Sequence, residues 1–243
     1  MIEILIIILC IFLIYILIKP HKCKKVIYGG GQMTVALNPH QLIPVKYMLD
    51  NFGIILYHST GSGKTITGIS CVYQFENPII VVGPKSSRKA FIDEISKLSF
   101  DQNRFTFYTY EMVKKVLSSD PEYFTGKSVI VDEAHRLRTR TSLNISIHNA
   151  LQKAYKVVFL TATPVINYMN DIAVLINIIK KHEVMPMSKV EFNSKYYSES
   201  KAKIKNPTEL SFLLKNCISF YEAPAKSEDY PQTTTEIKKI EMN

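Results

Sequence analysis

The nine residues Tyr57-His58-Ser59-Thr60-Gly61-Ser62-Gly63-Lys64-Thr65 restrict the fold of this 243-residue chain more than any other stretch. They follow an apolar run at 54–57 and open a stretch with helical spacing. A strand that turns through glycines straight into a helix is the first half of a βαβ unit, and such units build parallel sheets flanked by helices. The alternation continues to about residue 180, with short apolar runs at 79–82, 105–109, 129–132 and 157–160. None of these runs alternates with polar residues, as expected of strands buried on both faces. The expected fold class is therefore α/β, with a doubly wound, mostly parallel sheet. A helix is expected over 38–51. Beyond 181 the pattern loosens into short helices at 190–198 and 208–214 and candidate strands at 217–221 and 233–240.

The same stretch carries chemistry. A loop of Thr60, Gly61, Ser62, Gly63, Lys64 and Thr65 at a helix start presents backbone N–H groups to phosphate oxygens. Lys64 can reach the β- and γ-phosphates, and the Thr65 hydroxyl can ligate Mg²⁺. His58 replaces the first glycine of such loops; a glycine there eases the turn and holds no phosphate. A second strand, 128–132, ends in Asp132 and Glu133, followed by Ala134 and His135. Open α/β sheets place ligands at that strand edge. Asp132 is suited to hold Mg²⁺, and Glu133 to orient and deprotonate a water. An acidic strand end that merely caps the next helix explains one carboxylate, but not two downstream of a phosphate loop. The third element, Leu160-Thr161-Ala162-Thr163-Pro164, sets two hydroxyls at another strand end.

Gly-Ser-Gly-Lys-Thr, Asp-Glu-Ala-His and Thr-Ala-Thr-Pro, in this order, resemble the first RecA-like lobe of superfamily 2 helicases and translocases. Asn38-Pro39-His40-Gln41, Asp-Glu-Ala-His-Arg-Leu-Arg and Thr-Ala-Thr-Pro-Val-Ile-Asn resemble the Swi/Snf-like branch and the related ATPases of poxviruses and giant viruses. The resemblance spans residues 37–243, with its specific motifs ending at Asn167. It implies a single RecA-like P-loop domain in which Gln41 reads adenine, making ATP with Mg²⁺ the cofactor. It also implies catalytic roles for Lys64, Asp132 and Glu133, and a nucleic-acid partner, DNA or RNA. His135, Thr161 and Thr163 are implied to couple ATP to nucleic acid. Gly83-Pro84-Lys85-Ser86-Ser87 and Thr109-Tyr110-Glu111 resemble nucleic-acid-gripping segments, so Lys85, Ser86 and Tyr110 are expected contacts, although plain strand-to-helix turns read the same way. Arg136, Arg138 and Arg140 fit either phosphate contacts or a solvated helix start. His135 has no second His or Cys at ligand spacing and is not expected to bind a metal.

The N-terminus is different material. Residues 4–18, ILIIILCIFLIYILI, are unbroken apolar sequence, preceded by one charge and followed by Lys19, Lys22, Lys24 and Lys25. A cleaved signal peptide would carry basic residues before the run, and a core helix would show a polar face. A transmembrane anchor over 1–19, touching lipid with residues 2–18, fits. The lysines then place the following domain on the cytosolic side of a single-pass protein. A basic, Gly-rich tether is expected over 20–36, the ATP-binding lobe over 37–181, and a connector over 182–243. Four dispersed cysteines argue against disulfides and zinc. The net charge of +9 suits a polyanion or simply a solvated lysine surface. No arginine follows Arg140, whereas motors of this kind take arginines from a second lobe. A second polypeptide supplying that lobe is therefore expected. A membrane-tethered recruiting module with a weak or vestigial ATP site is the alternative reading.

Overall fold

The computed structural model describes residues 26–27, 34–35, 37–139, 141–198 and 203–222. Two short strands, β1 (Val26–Ile27) and β2 (Thr34–Val35), pair antiparallel. Both lie in the segment expected to be a Gly-rich tether, where β-branched residues flank the glycines in sequence and favour pairing. Helix α1 (Pro39–Asp50) starts on Asn38, whose backbone N–H donates to the Gln41 side-chain oxygen Oε1 at 2.9 Å. Proline at the first helical position loses nothing, since that N–H has no intrahelical partner.

From there strand and helix alternate: β3 (Gly53–His58), α2 (Lys64–Tyr73), β4 (Ile79–Val82), α3 (Ser87–Lys97), β5 (Phe105–Tyr108), α4 (Tyr110–Ser119), β6 (Ser128–Asp132), α5 (Ser142–Gln152), β7 (Lys156–Thr161) and α6 (Ala173–Lys180). Next come α7 (Lys189–Tyr196), an antiparallel pair β8 (Tyr197–Ser198) and β9 (Lys203–Ile204), α8 (Pro207–Leu214) and β10 (Ile218–Tyr221). The central sheet is parallel throughout, in the order β10-β3-β7-β6-β4-β5. Successive strand residues serve opposite faces. Ile55, Val129, Val131, Val157 and Phe159 join one core with residues of α4, α5 and α6. Ile54, Leu56, Ile130, Val158 and Leu160 join the other with residues of α1, α2 and α3. Both faces are covered, which is why the strands read as continuous apolar runs.

Several element boundaries differ from the sequence reading by one or two residues. The run at 105–109 gives up Thr109, whose hydroxyl accepts the Met112 N–H as the cap of α4. The helix expected over 190–198 ends at Tyr196, because Tyr197 and Ser198 pair with β9. Within the segment expected to be a connector, β10 pairs with β3, and Phe192, Tyr196, Leu210 and Cys217 are core residues. Among the described residues no helix is long and apolar enough to cross a membrane. The expected anchor, the strand at 233–240 and Arg140 lie outside the described residues.

The registers align the strand ends. His58 lies opposite Tyr221, Tyr57 opposite Thr161, Leu160 opposite Asp132, and Val82 opposite both Val131 and Tyr108. The motifs that follow β3, β4, β5, β6 and β7 thus leave the sheet at one edge.

Candidate functional site

Gly61 and Gly63 hold φ of +80° and +78°, in the left-handed region that glycine reaches without cost. At Gly63 a Cβ would also strike the Gln41 amide nitrogen. The loop therefore curls into the N-terminus of α2, whose first N–H groups have no intrahelical acceptor. Lys64 bridges back to the strand end, donating to the carbonyls of His58 at 2.8 Å and Ser59 at 3.0 Å. Burial pushes the Lys64 ammonium pKa down, and the charges of Glu133 and Asp132 pull it back up. Thr65 follows in the first turn of α2, half-buried, while Thr60 and Gly61 are exposed at the loop tip. Ser62 is buried, and its carbonyl accepts from the Gln41 amide at 3.2 Å and from the His40 ring at 3.1 Å. Gln41, expected to read adenine, here steadies the phosphate loop. His58 is the last residue of β3. It is fully buried, bonded through Nε2 to the Ser219 hydroxyl of β10 at 2.9 Å.

Two strands away, Asp132 ends β6. Its carboxyl is pushed above the usual range by burial, countered by a hydrogen bond from Ser87 and raised further by Glu133. Gly83, after β4, packs close: a Cβ there would lie 3.0 Å from the Asp132 Cβ and 3.0 Å from the Ser87 hydroxyl. Glu133 takes φ 53°, ψ 47°, a left-handed conformation that is strained for a residue with a side chain. What holds it there is Tyr110, whose hydroxyl donates to the carbonyls of Asp132 at 2.8 Å and Glu133 at 3.2 Å. Tyr110 was expected to contact nucleic acid. At 5% exposure its side chain faces the interior, where it supports the Asp132–Glu133 turn instead.

The oxygen donors fit Mg²⁺. Among the described residues no three His, Cys, Asp or Glu side chains converge as a protein cage. A hydroxyl and a carboxylate supplemented by phosphate oxygens are a hard, sparse ligand set, the kind that Mg²⁺ accepts. The incompletely compensated charge of Asp132 points the same way.

His135 joins two motifs. Its Nδ1 lies 3.3 Å from a Glu133 carboxylate oxygen and 3.4 Å from the Thr161 hydroxyl, which in turn accepts the Thr163 N–H at 3.1 Å. Burial, the largest cause, lowers the His135 pKa, with Glu133 opposing and Arg138 and Arg136 adding to the drop. Beyond Thr163, the Asp171 carboxylate accepts the N–H groups of Ile166, Asn167 and Tyr168 at 2.8–3.3 Å and fixes the loop's path. Sequence reasoning missed Asp171. The available signal was an acidic residue three positions into a short 3-10 turn, where it can accept local N–H groups.

Lys85 and Ser86 are exposed in the turn between β4 and α3. Lys85, Arg88, Phe107, Tyr108, Thr109 and Met112 line a cleft of about 120 Å³ between the ends of β4 and β5. Arg88 lies against the Phe107 ring there, 5.7 Å from its centroid.

Residues 95–243 match the SNF2-related domain. The chain is 47% identical over 210 residues to a protein of Acanthamoeba polyphaga mimivirus named as an ATP-dependent RNA helicase, L538. That match covers 86% of this chain and 47% of the relative. A second mimivirus protein of the same designation, R563, is 25% identical over 175 residues, covering 56% of this chain and 30% of the relative. The chain thus spans about half or less of the length of these relatives.

Proposed function

From the premise that this chain belongs to the SNF2-related family of superfamily 2 helicase-like ATPases, we propose that its lobe binds Mg-ATP and couples hydrolysis to nucleic acid. The observation that carries this reading is the His135 bridge, which links the candidate base Glu133 to the Thr161–Thr163 strand end at 3.3 and 3.4 Å. Such a contact lets a change at the phosphate site be felt at a second surface, and a simple nucleotide store has no need of it.

The residues divide the work. Loop N–H groups and the start of α2 hold phosphate oxygens. Lys64 exchanges the carbonyls of His58 and Ser59 for the terminal phosphates, a move that removes its present partners only when better ones arrive. Thr65 and Asp132 would hold Mg²⁺, which supplies charge neutralisation at the phosphates. Glu133, positioned by its strained backbone, orients water and takes its proton. Gln41, released from Ser62, is placed to meet the base. The nucleic-acid backbone is taken up at the cleft beside Lys85 and Ser86, where two helix starts and Arg88 provide positive potential. The names of the two mimivirus relatives favour RNA as substrate.

The apolar run at 4–18 with its trailing lysines supports single-pass anchoring, with this lobe on the cytosolic side. Arginines from a second lobe, in this polypeptide or another, complete the phosphoryl-transfer site. Binding of Mg-ATP by the full chain in detergent, measured by calorimetry, tests the core of the proposal. Lys64→Ala is expected to abolish binding, and RNA is expected to raise ATP turnover of the wild type. Turnover indifferent to both RNA and DNA would refute the coupling.

A further inference from the structure

Sheet order fixes which way a nucleotide must lie. The phosphate loop rises from β3, with β7 and β6 on one side of it and β10 on the other. Asp132 ends β6, and Glu133 follows it. A triphosphate whose terminal phosphate faces Glu133 therefore runs its α-phosphate and nucleoside the opposite way, over the end of β10.

An aromatic group stands at that end. Tyr221, the last residue of β10, lies flat against His40, with ring centroids 3.6 Å apart and planes 5° from parallel. The buried His58 ring meets both edge-on, 5.7 Å from His40 and 6.0 Å from Tyr221. The stack is rooted in the phosphate loop itself. His40 bonds to the Ser62 carbonyl at 3.1 Å, and the Tyr221 carbonyl accepts the Ser59 N–H at 2.9 Å. Both rings are only partly buried. Gln41, next to His40, places its amide on the same Ser62 carbonyl.

The geometry points to Tyr221 and His40 as the wall on which the purine base of the bound nucleotide stacks, the base extending the pair as a third ring. Purines stack on tyrosine and histidine faces because each presents a flat polarisable surface, and the interaction does not depend on hydrogen-bond readout. The wall thus supplies affinity for the base, and the polar edge of Gln41 supplies the choice among bases. It also makes the end of β10 part of the nucleotide site.

The inference rests on the nucleotide reading above, and the test separates the two. Binding of Mg-ATP and of Mg-tripolyphosphate, which lacks a base, would be measured by calorimetry on the full chain in detergent. Tyr221→Leu and Tyr221→Phe would be compared with the wild type. Base stacking removed by substitution costs about tenfold or more in affinity. Tyr221→Leu is therefore expected to weaken Mg-ATP by about that factor while leaving tripolyphosphate within about twofold, and Tyr221→Phe to bind both as the wild type does. Equal weakening of both probes would show that the ring only braces the loop, and no weakening of either would show that the base lies elsewhere; each result overturns the wall. A wild-type chain that binds neither probe overturns the nucleotide reading itself, and the wall with it.

Discussion

His58 shows how much one side chain can hide. In sequence it is an oddity in a glycine's place. In the fold it is a fully buried ring between β3 and β10, hydrogen-bonded to Ser219. Burial, then the neighbouring His40 and Lys64, push its pKa down to about 3. The folded protein therefore keeps it neutral, whereas an unfolded chain protonates it near pH 6.5. Stability is full above about pH 6.5 and falls as the pH drops toward about 3, because only the unfolded state takes up the proton in that window. Between pH 7.5 and 5 this one group should cost about 2 kcal/mol. Urea midpoints at the two pH values should show a drop in His58→Gln smaller than the wild-type drop by about that amount. An unchanged difference would mean that the histidine is solvated. Tyr110 makes the complementary case. Its phenol props Asp132 and Glu133 from below, so Tyr110→Phe should lose about 1 kcal/mol of stability. Its kcat for ATP should fall while the Kd for Mg-ATP stays within about twofold. The turn through Gly61 and Gly63 into the helix at Lys64 was legible because its signal is local. The role of Tyr110 was not, because it depends on β5 and β6 both flanking β4, which no short window of sequence records.

At the scale of elements, the buried strands announced themselves and their partners did not. Five of the six sheet strands follow from apolar runs without polar alternation, and β10 was visible as a candidate at 217–221. That β10 closes the sheet beside β3 is a matter of tertiary pairing. The head of β7 shows the same limit. Lys156 opens this strand and reads as a surface lysine, yet it is 8% exposed. Its ammonium donates to the carbonyls of Met48, Leu49 and Asn51, which end α1 with no acceptor role left inside the helix. It also lies over the Phe75 ring, 4.8 Å from the centroid. A cation at a helix C-terminus meets the negative end of the dipole as well as the free carbonyls. Lys156→Met keeps the aliphatic stem and removes the cap, so it should cost about 2–3 kcal/mol in urea unfolding with an unchanged m value. Because α1 carries His40 and Gln41 at its other end, Mg-ATP affinity should fall along with the helix. Full stability in that variant would mean that water caps α1 as well as the lysine does.

For the whole molecule, the decisive question is what neutralises charge in the transition state. The lobe brings Lys64 near Asp132 and Glu133, and it has other uses for its described arginines. Arg88 lies against Phe107, Arg104 donates to the carbonyls of Tyr73, Phe75 and Asn77, Arg136 sits over Tyr110, and Arg138 donates to the His135 carbonyl. None of them touches the phosphate loop. In comparable phosphoryl-transfer sites an arginine directed at the transferring group is worth about 10³ to 10⁵ in rate. This lobe should then bind Mg-ATP in the ordinary way and turn it over slowly until such an arginine arrives. Fusing to this chain the portion of the mimivirus relative L538 that lies outside the match gives a direct comparison, since the match covers 47% of that protein. The expected gain in kcat is about 10³ or more with little change in Kd, because the interaction is made mainly in the transition state. Lys64→Ala should silence both forms. Brisk turnover by the unfused chain that disappears in Lys64→Ala would show that the described lobe completes the site from its own residues. Either Arg140 or one of the seated arginines leaving its partner would then supply the charge, with Arg136 the first of the described arginines to test.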